Sequence, residues 1–278
     1  MKLHSHRYGK AKVRVFKKLQ QDGVHTPKEL EVTTLLEGDF GASFTKDDNS
    51  QVVATDSIKN TVNFLAHQEL GNETEPFAIA VTRHFLKKYS HVTSVTVETL
   101  ERVWERLTVG GKPSSANFIS SGKGVPWTRT IATSNATETT SGVHDLVILK
   151  TSGSAWEGFW RDELTTLPET NDRLLATSLT SSWLYGAAPT SYAAANARII
   201  EAMLEVFASR FSPSVQATLY HMGEAALTAC SEISRISLTM PNLHYLLIDL
   251  RPFGRANNNE LFVPTDAPQG WIEASVAR

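Results

Sequence analysis

Apolar residues along this chain switch from period two to a spacing of three and four, then back, and they do so twice. Period two places alternate residues on one face of a strand, and a spacing of three and four lines one face of a helix. Val13 and Val15 alternate with Lys12 and Arg14 across Ala11–Leu19. Leu30, Val32, Thr34 and Leu36 alternate across Glu29–Glu37, so both stretches are expected as strands. Residues 21–27, Gln-Asp-Gly-Val-His-Thr-Pro, have the composition of the hairpin loop between them. After a turn-rich stretch, Gly38 to Asp48, a short apolar run at Val52–Ala54 stops at Thr55-Asp56-Ser57. Ile58, Val62 and Leu65 then follow at helical spacing. Gly71 to Glu75 breaks that helix, and Pro76 suits the first turn of the next, which carries Phe77, Val81 and Phe85 to about Tyr89. His91 to Val109 is one long period-two run, with Val95, Val97, Val103, Leu107 and Val109 on one face. It exceeds the roughly 5–6 residues of an ordinary strand.

Gly110 to Pro113 turns the chain, and Ala116–Ile119 begins a partner strand. Residues 120–142 are rich in Ser, Thr and Gly around a short strand at Thr128–Thr133. The second half then repeats the order of the first. Val143–Lys150 is a strand, and a loop region follows it. One helical run carries Ala195, Ile199, Ala202 and Val206; the next carries Val215, Leu219, Met222, Ala226 and Ala229. Ile233–Met240 and His244–Leu250 read as strands. Each half therefore reads strand, strand, helix, helix, strand, strand, the strand after Lys150 being the least distinct. Strands in runs with paired helices between them imply an α+β protein, with antiparallel sheets covered by helices on one face. Two domains are expected, 1–133 and 134–278.

Composition agrees with that picture and removes several functions. A chain of 278 residues fits two domains of about 150 each. Its 41% hydrophobic and 20% charged residues describe a globular chain. A net charge of -2 supplies no field for nucleic acid or an anionic membrane, so an anionic ligand needs a local site. The single cysteine, Cys230, excludes an intramolecular disulfide and a Cys-rich metal site, which suits a reducing compartment. There is no apolar signal core at the start and no run long enough to cross a bilayer. The ending Ser-Val-Ala-Arg is not a Ser-Lys-Leu type peroxisomal address, and cytoplasm is the expected location. No glycine-rich dinucleotide fingerprint or phosphate-loop lysine motif is present.

Several stretches can carry chemistry. An extended run delivering Thr55 and Asp56 to a helix start offers free N–H groups and a favourable dipole to an anion; taken singly, it is also what an ordinary N-cap looks like. Arg173 presents a planar fork suited to a carboxylate or a flat carbonyl-bearing ligand, or to a plain salt bridge with Asp172 or Glu169. Ser214 or Ser212 can cap the last helix, which puts Val215 and Gln216 in its first turn. Gln216 brings both a donor and an acceptor. His244 alternates with Leu246, Ile248 and Leu250 and is expected on their core face. Trp156 and Phe159 are packing aromatics, or a platform for a flat ring. Lys10 by default is a solvated charge. His4 and His6 lack a third ligand, so no metal site is assigned to them.

Taken together, these segments resemble urate oxidase, the uricase family. The resemblance lies in Arg7-Tyr8-Gly9-Lys10, Val53-Ala54-Thr55-Asp56-Ser57-Ile58-Lys59-Asn60, Gly158-Phe159 with Arg161-Asp162-Glu163, and Asp172-Arg173. It continues in Ser214-Val215-Gln216-Ala217-Thr218 and Pro241-Asn242-Leu243-His244-Tyr245. The segments occur in the family's order and span nearly the whole chain. The resemblance implies two tandem tunnelling-fold (T-fold) domains, assembled as a homotetramer around a central tunnel. It implies oxidation of urate by dioxygen and water to 5-hydroxyisourate and hydrogen peroxide, with no metal or organic cofactor.

By the same resemblance Arg173, Gln216 and the Val215 N–H grip one side of urate. Thr55 and the Asp56 N–H hold the other side from a neighbouring subunit. The family usually has a Phe at the stacking position, where this chain, by the match of the Gly158-Phe159 run, offers Trp156; Phe159 also lines the substrate and Leu167 matches an apolar wall. Lys10, Thr55 and His244 resemble the proton relay, and Asn242 with Thr55 holds dioxygen and then water. Two other readings are another T-fold enzyme acting on a purine or pterin, and a non-catalytic purine-binding protein. A zinc-dependent T-fold enzyme conflicts with the single cysteine, and a binding protein would have no use for the relay set.

Overall fold

A computed structural model describes residues 1–278, with the side chain of Asp266 left aside. The chain divides into two compact units, Met1–Gly142 with Leu184–Ala195, and Val143–Trp183 with Asn196–Arg278. The architecture is α+β, as expected.

The first unit opens with β1 (Tyr8–Gln21) and β2 (Val24–Gly38), paired antiparallel. The hairpin closes on Asp22-Gly23 alone, both at positive φ (50° and 75°). Two residues of left-handed backbone match the twist of the flanking strands, which is why Asp-Gly is favoured there. The loop expected over 21–27 is therefore strand for most of its length. Pro27 lies within β2 opposite Lys18, beyond the last residue of β2 that meets β3, Glu29. Proline is tolerated at such an uncovered strand edge.

A short helix α1 (Gly41–Thr45) follows, then α2 (Thr55–Glu69) and α3 (Glu75–Lys88), and then β3 (Val92–Arg102). The long run expected to reach Val109 breaks at Val103. β3 has run out of partners there, since Arg102 meets Glu29 at the end of its β2 pairing and Leu100 meets Trp127 at the end of its β6 pairing. The remainder becomes β4 (Trp104–Val109), which pairs only with β5 (Lys112–Ser120) as a separate ribbon. Trp104 Nε1 donating to Glu29 Oε2 at 2.9 Å and Arg106 donating to the His25 carbonyl at 2.5 Å tie that ribbon back. β6 (Val125–Thr133) and the first part of β7 (Thr137–Lys150) complete the order β1-β2-β3-β6-β7. The expected domain boundary, 133/134, falls in the turn between β6 and β7.

Leu30, Val32 and Leu36 of β2 meet Ile58 and Val62 of α2 and Phe77, Val81 and Phe85 of α3 in one buried core, joined by Val95 and Val97. Alternation on the strands and helical spacing on the helices thus converge on one layer. Phe77 is fully buried, and Phe77→Ala is expected to cost about 3–5 kcal/mol. Its denaturation midpoint should fall accordingly; a midpoint within error of native would contradict this core.

The second unit holds the rest of β7, then most of β8 (Leu175–Tyr185) and of α4 (Tyr192–Ser209), α5 (Val215–Ala229), β9 (Ile233–Thr239) and β10 (Asn242–Leu247). β11 (Phe262–Gly270) and β12 (Glu273–Ala277) end the chain. The order runs β7-β8-β10-β11, with β9 joining β8 to β12. α5 crosses β12 so closely that a Cβ on Gly223 would come within 2.7 Å of Val276 Cγ2. Leu179, Trp183, Ile199, Met203, Met222 and Ile236 are buried in this core. On α4 the buried positions are Tyr192, Ala195, Ile199, Met203 and Phe207, so Ala195 and Ile199 of the expected face are buried while Ala202 and Val206 are only half-buried. Ala229 is exposed at the end of α5.

One expectation needs correcting. His244 is half-buried, not in the core, and Leu246 is 54% exposed. Only Asn242 and Leu243 of β10 pair with β8; the rest pairs with β11 alone and runs past the packed layer. Among the described residues, no helix is long and apolar enough to cross a membrane.

Candidate active site

The structure gathers the candidate residues into two groups, one in each unit. In the first, the apolar run at Val52–Ala54 delivers Thr55 to the start of α2 as expected. The cap differs from the expectation: the N-cap is Ala54, with extended backbone (φ -53°, ψ 133°) and no side-chain cap. The Thr55 hydroxyl is thus not taken up by a cap, and Thr55 and Asp56 are both exposed. Asp56 accepts from Lys59 Nζ at 2.6 Å and Asn60 Nδ2 at 2.9 Å. The Lys59 hydrogen bond and charge hold its carboxyl below the usual range, and the charge of Lys10 adds to the effect. Lys10 therefore lies within electrostatic reach of the α2 start. It sits half-buried on β1 opposite Thr34, just before a bulge. Gly9 permits this course: a Cβ there would come within 1.9 Å of the Thr34 carbonyl oxygen.

In the second unit, Arg173 leads into β8. Its backbone N–H donates to the Ser154 carbonyl at 3.0 Å and its Nε to Ser154 Oγ at 3.3 Å. The guanidinium lies 5.7 Å from the Trp156 ring centroid. Neither Asp172 nor Glu169 pairs with it, and among the described residues Arg173 forms no ion pair. Burial pushes its pKa below the ordinary arginine value. A cation partly stripped of water and without a counter-charge is a strong attractor for an anion.

Ser154 also positions the start of α5. Ser154 and Ser212 form a parallel bridge; the Ala155 N–H donates to the Ser212 carbonyl at 2.8 Å and the Ser212 N–H to Gly153 at 2.9 Å. Ser212 Oγ meets Thr218 Oγ1 at 2.6 Å inside α5. Ser214 is the N-cap, its side chain accepting from the Ala217 N–H at 3.1 Å. That leaves the N–H groups of Val215 and Gln216 without intrahelical partners, with the Gln216 side chain exposed. Arg173, Trp156, Val215 and Gln216 are thereby assembled around two buried serines. Sequence reading misses Ser154 and gives Ser212 only as a candidate cap, because nothing in a serine-containing stretch marks which serine is buried.

Trp156 and Phe159 stack on each other, with centroids 5.5 Å apart and planes 10° from parallel. Leu167 is exposed on the loop leading to Arg173 and accepts at its carbonyl from Arg161 Nη1 at 3.1 Å. Asn242 pairs with Thr177 of β8, four residues beyond Arg173, and its Nδ2 lies 3.4 Å from His244 Nδ1. An amide and an imidazole so placed are within hydrogen-bonding distance of each other. Among the described residues, no group of three or more His, Cys, Asp or Glu side chains is placed to hold a metal ion.

Known proteins resemble this chain over nearly its whole length. The family described as Uricase matches residues 6–130 and 139–273. The uricase of Arthrobacter globiformis is 36% identical, the match covering 99% of this chain and 90% of that protein. The uricase of Emericella nidulans is 38% identical over 98% of this chain and 96% of its own length. The crystal structure of the Arthrobacter globiformis uricase superposes with a TM-score of 0.95 at 35% identity, over 100% of this chain and 95% of that one. The urate oxidase of Bacillus sp. TB-90 superposes with a TM-score of 0.86 at 26% identity, over 98% of this chain and 100% of that one.

Proposed function

The chain belongs to the uricase family, and on that premise we propose how its residues carry out the oxidation of urate in purine breakdown. Urate is a flat monoanion edged with carbonyl and N–H groups. Arg173 supplies the charge and the fork for one edge, Gln216 a donor and an acceptor, and the Val215 N–H a further donor. Trp156, backed by Phe159, stacks on a ring face, and Leu167 closes an apolar side. Thr55 and the Asp56 N–H take the opposite edge.

Urate then gives up a further proton to Lys10 through the Thr55 hydroxyl, with His244 completing the shuttle. The electron-rich dianion gives two electrons to dioxygen, held with Asn242 and Thr55, and the proton returned from the relay together with one from solvent completes hydrogen peroxide. Water adds to the oxidised ring to give 5-hydroxyisourate. Urate monoanion, dioxygen, water and one solvent proton on one side balance 5-hydroxyisourate and hydrogen peroxide on the other, and urate itself supplies both electrons.

Lys10, Thr55 and Asp56 belong to one unit, and the other residues named belong to the second. We place the two groups of one site on different subunits of a homotetramer built around a tunnel.

The observation that carries the reading is the half-buried, unneutralised Arg173 set beside an aromatic ring and a helix start. The purified protein, treated with a chelator, is expected to remove urate absorbance and consume oxygen. Unchanged absorbance would reject it.

A further inference from the structure

The hydroxyl of Tyr8 has no part in the scheme above, yet it makes two hydrogen bonds to one residue. Tyr8 Oη accepts from the Val53 N–H at 2.7 Å and lies 3.2 Å from the Val53 carbonyl oxygen, to which it donates. A backbone residue held at both its donor and its acceptor is fixed in position and in rotation. Burial is the first cause holding the Tyr8 pKa above its ordinary value, so the hydroxyl keeps its proton. The ring is seated edge-on against the buried Phe40, with centroids 4.7 Å apart and planes at 89°.

The position of Val53 gives this clamp its meaning. Ala54 alone separates Val53 from Thr55, and Ala54 is extended. Ala54 makes no side-chain cap, and at the helix start only its carbonyl is held, accepting from the Ile58 N–H at 3.1 Å. Tyr8 and Lys10 are two apart on β1, where they pair with Leu36 and Thr34 of β2. Residues two apart on a strand project from the same face. One strand therefore aims both side chains at one segment: Tyr8 seizes Val53, and the charge of Lys10 reaches Asp56.

We propose that Tyr8 is a positioning residue for the reaction, its hydroxyl holding Val53 so that Thr55 stands in register with Lys10. The inference rests on Lys10 and Thr55 forming the proton relay. Tyr8 touches neither urate nor the reacting atoms. Its loss lets the 53–55 segment shift by a fraction of an ångström, which lengthens the proton path and leaves the Arg173 grip intact.

Tyr8→Phe tests this because it removes the hydroxyl and keeps the ring on Phe40. Urate turnover is measured for the native protein, Tyr8→Phe, Lys10→Met and the double variant, with the melting midpoint of each recorded. The expected result is a kcat about tenfold lower for Tyr8→Phe, a KM within about twofold of native and a near-native midpoint. In the Lys10→Met background the same change should have no further effect on kcat, since no relay remains to misalign. Native kcat in Tyr8→Phe, with Lys10→Met inactive, would overturn the role of Tyr8 and leave the relay standing. An equal loss in both backgrounds would also overturn it, marking a general structural effect. Full activity in Lys10→Met would overturn the relay, and this inference with it.

Discussion

Lys10→Met lowers kcat for urate by about 10²–10⁴-fold, the range that a positioned acid–base group supplies, while a non-reactive purine analogue binds within severalfold of native. The split follows from where Lys10 sits. It is carried by the first strand, within charge range of Asp56, in a different unit from Arg173 and Gln216. Removing it takes away the proposed proton acceptor and none of the groups assigned to the Arg173 edge of the ring. Single-turnover measurement of urate loss, paired with titration of the analogue, separates the two quantities. Equal losses in both would make Lys10 a binding residue.

Arg173→Ala should show the opposite split. A hydrogen bond to a charged group contributes about 1.5–3 kcal/mol. A fork making two of them therefore contributes on the order of 10²-fold or more in affinity. Nothing else neutralises the urate charge on that edge, because the neighbouring donors, the Val215 N–H and Gln216, are neutral. Lysine is not an adequate replacement, having one point charge where the fork presents two parallel donors. The analogue titration should show this loss for Arg173→Ala and most of it for Arg173→Lys. Native affinity in Arg173→Ala would remove the residue from the site.

The alternation of Leu30, Val32, Thr34 and Leu36, and the helical spacing of Phe77, Val81 and Phe85, are enough to place β2 and α3 and to say which face of each is buried. Such faces are legible because burial acts on each residue in proportion to its own apolar area. β8 was not legible for the same reason: its core-facing positions include Thr177 and Ser181, whose small polar side chains interrupt the signal while being buried. The break at Val103 is equally invisible in the sequence. It arises where β2 and β6 cease to offer partners, a fact about other strands. His244 illustrates the same limit, since its alternation with Leu246 looks like a core face and only the short pairing of β10 with β8 brings it to the margin.

The site divides in the same way. Side chains with distinctive chemistry, Arg173, Gln216, Lys10 and His244, can be singled out from the residues once the motifs around them are seen together. The serines that bring Arg173 to the start of α5, and the tyrosine that fixes Val53, act through backbone groups, and backbone partners leave no trace in residue identity.

Central to the proposed mechanism is a site that takes Lys10 and Thr55 from one subunit and Arg173 and Gln216 from another. Lys10→Met chains, slow in turnover, and Arg173→Ala chains, weak in binding, can be unfolded together, refolded as a mixture and assayed at a urate concentration too low to saturate Arg173→Ala. A shared site predicts recovery of activity, because each mixed pair of subunits carries one site with both faults and one with neither. Activity no higher than that of the separate variants, in a mixture shown to contain mixed oligomers, would contradict it.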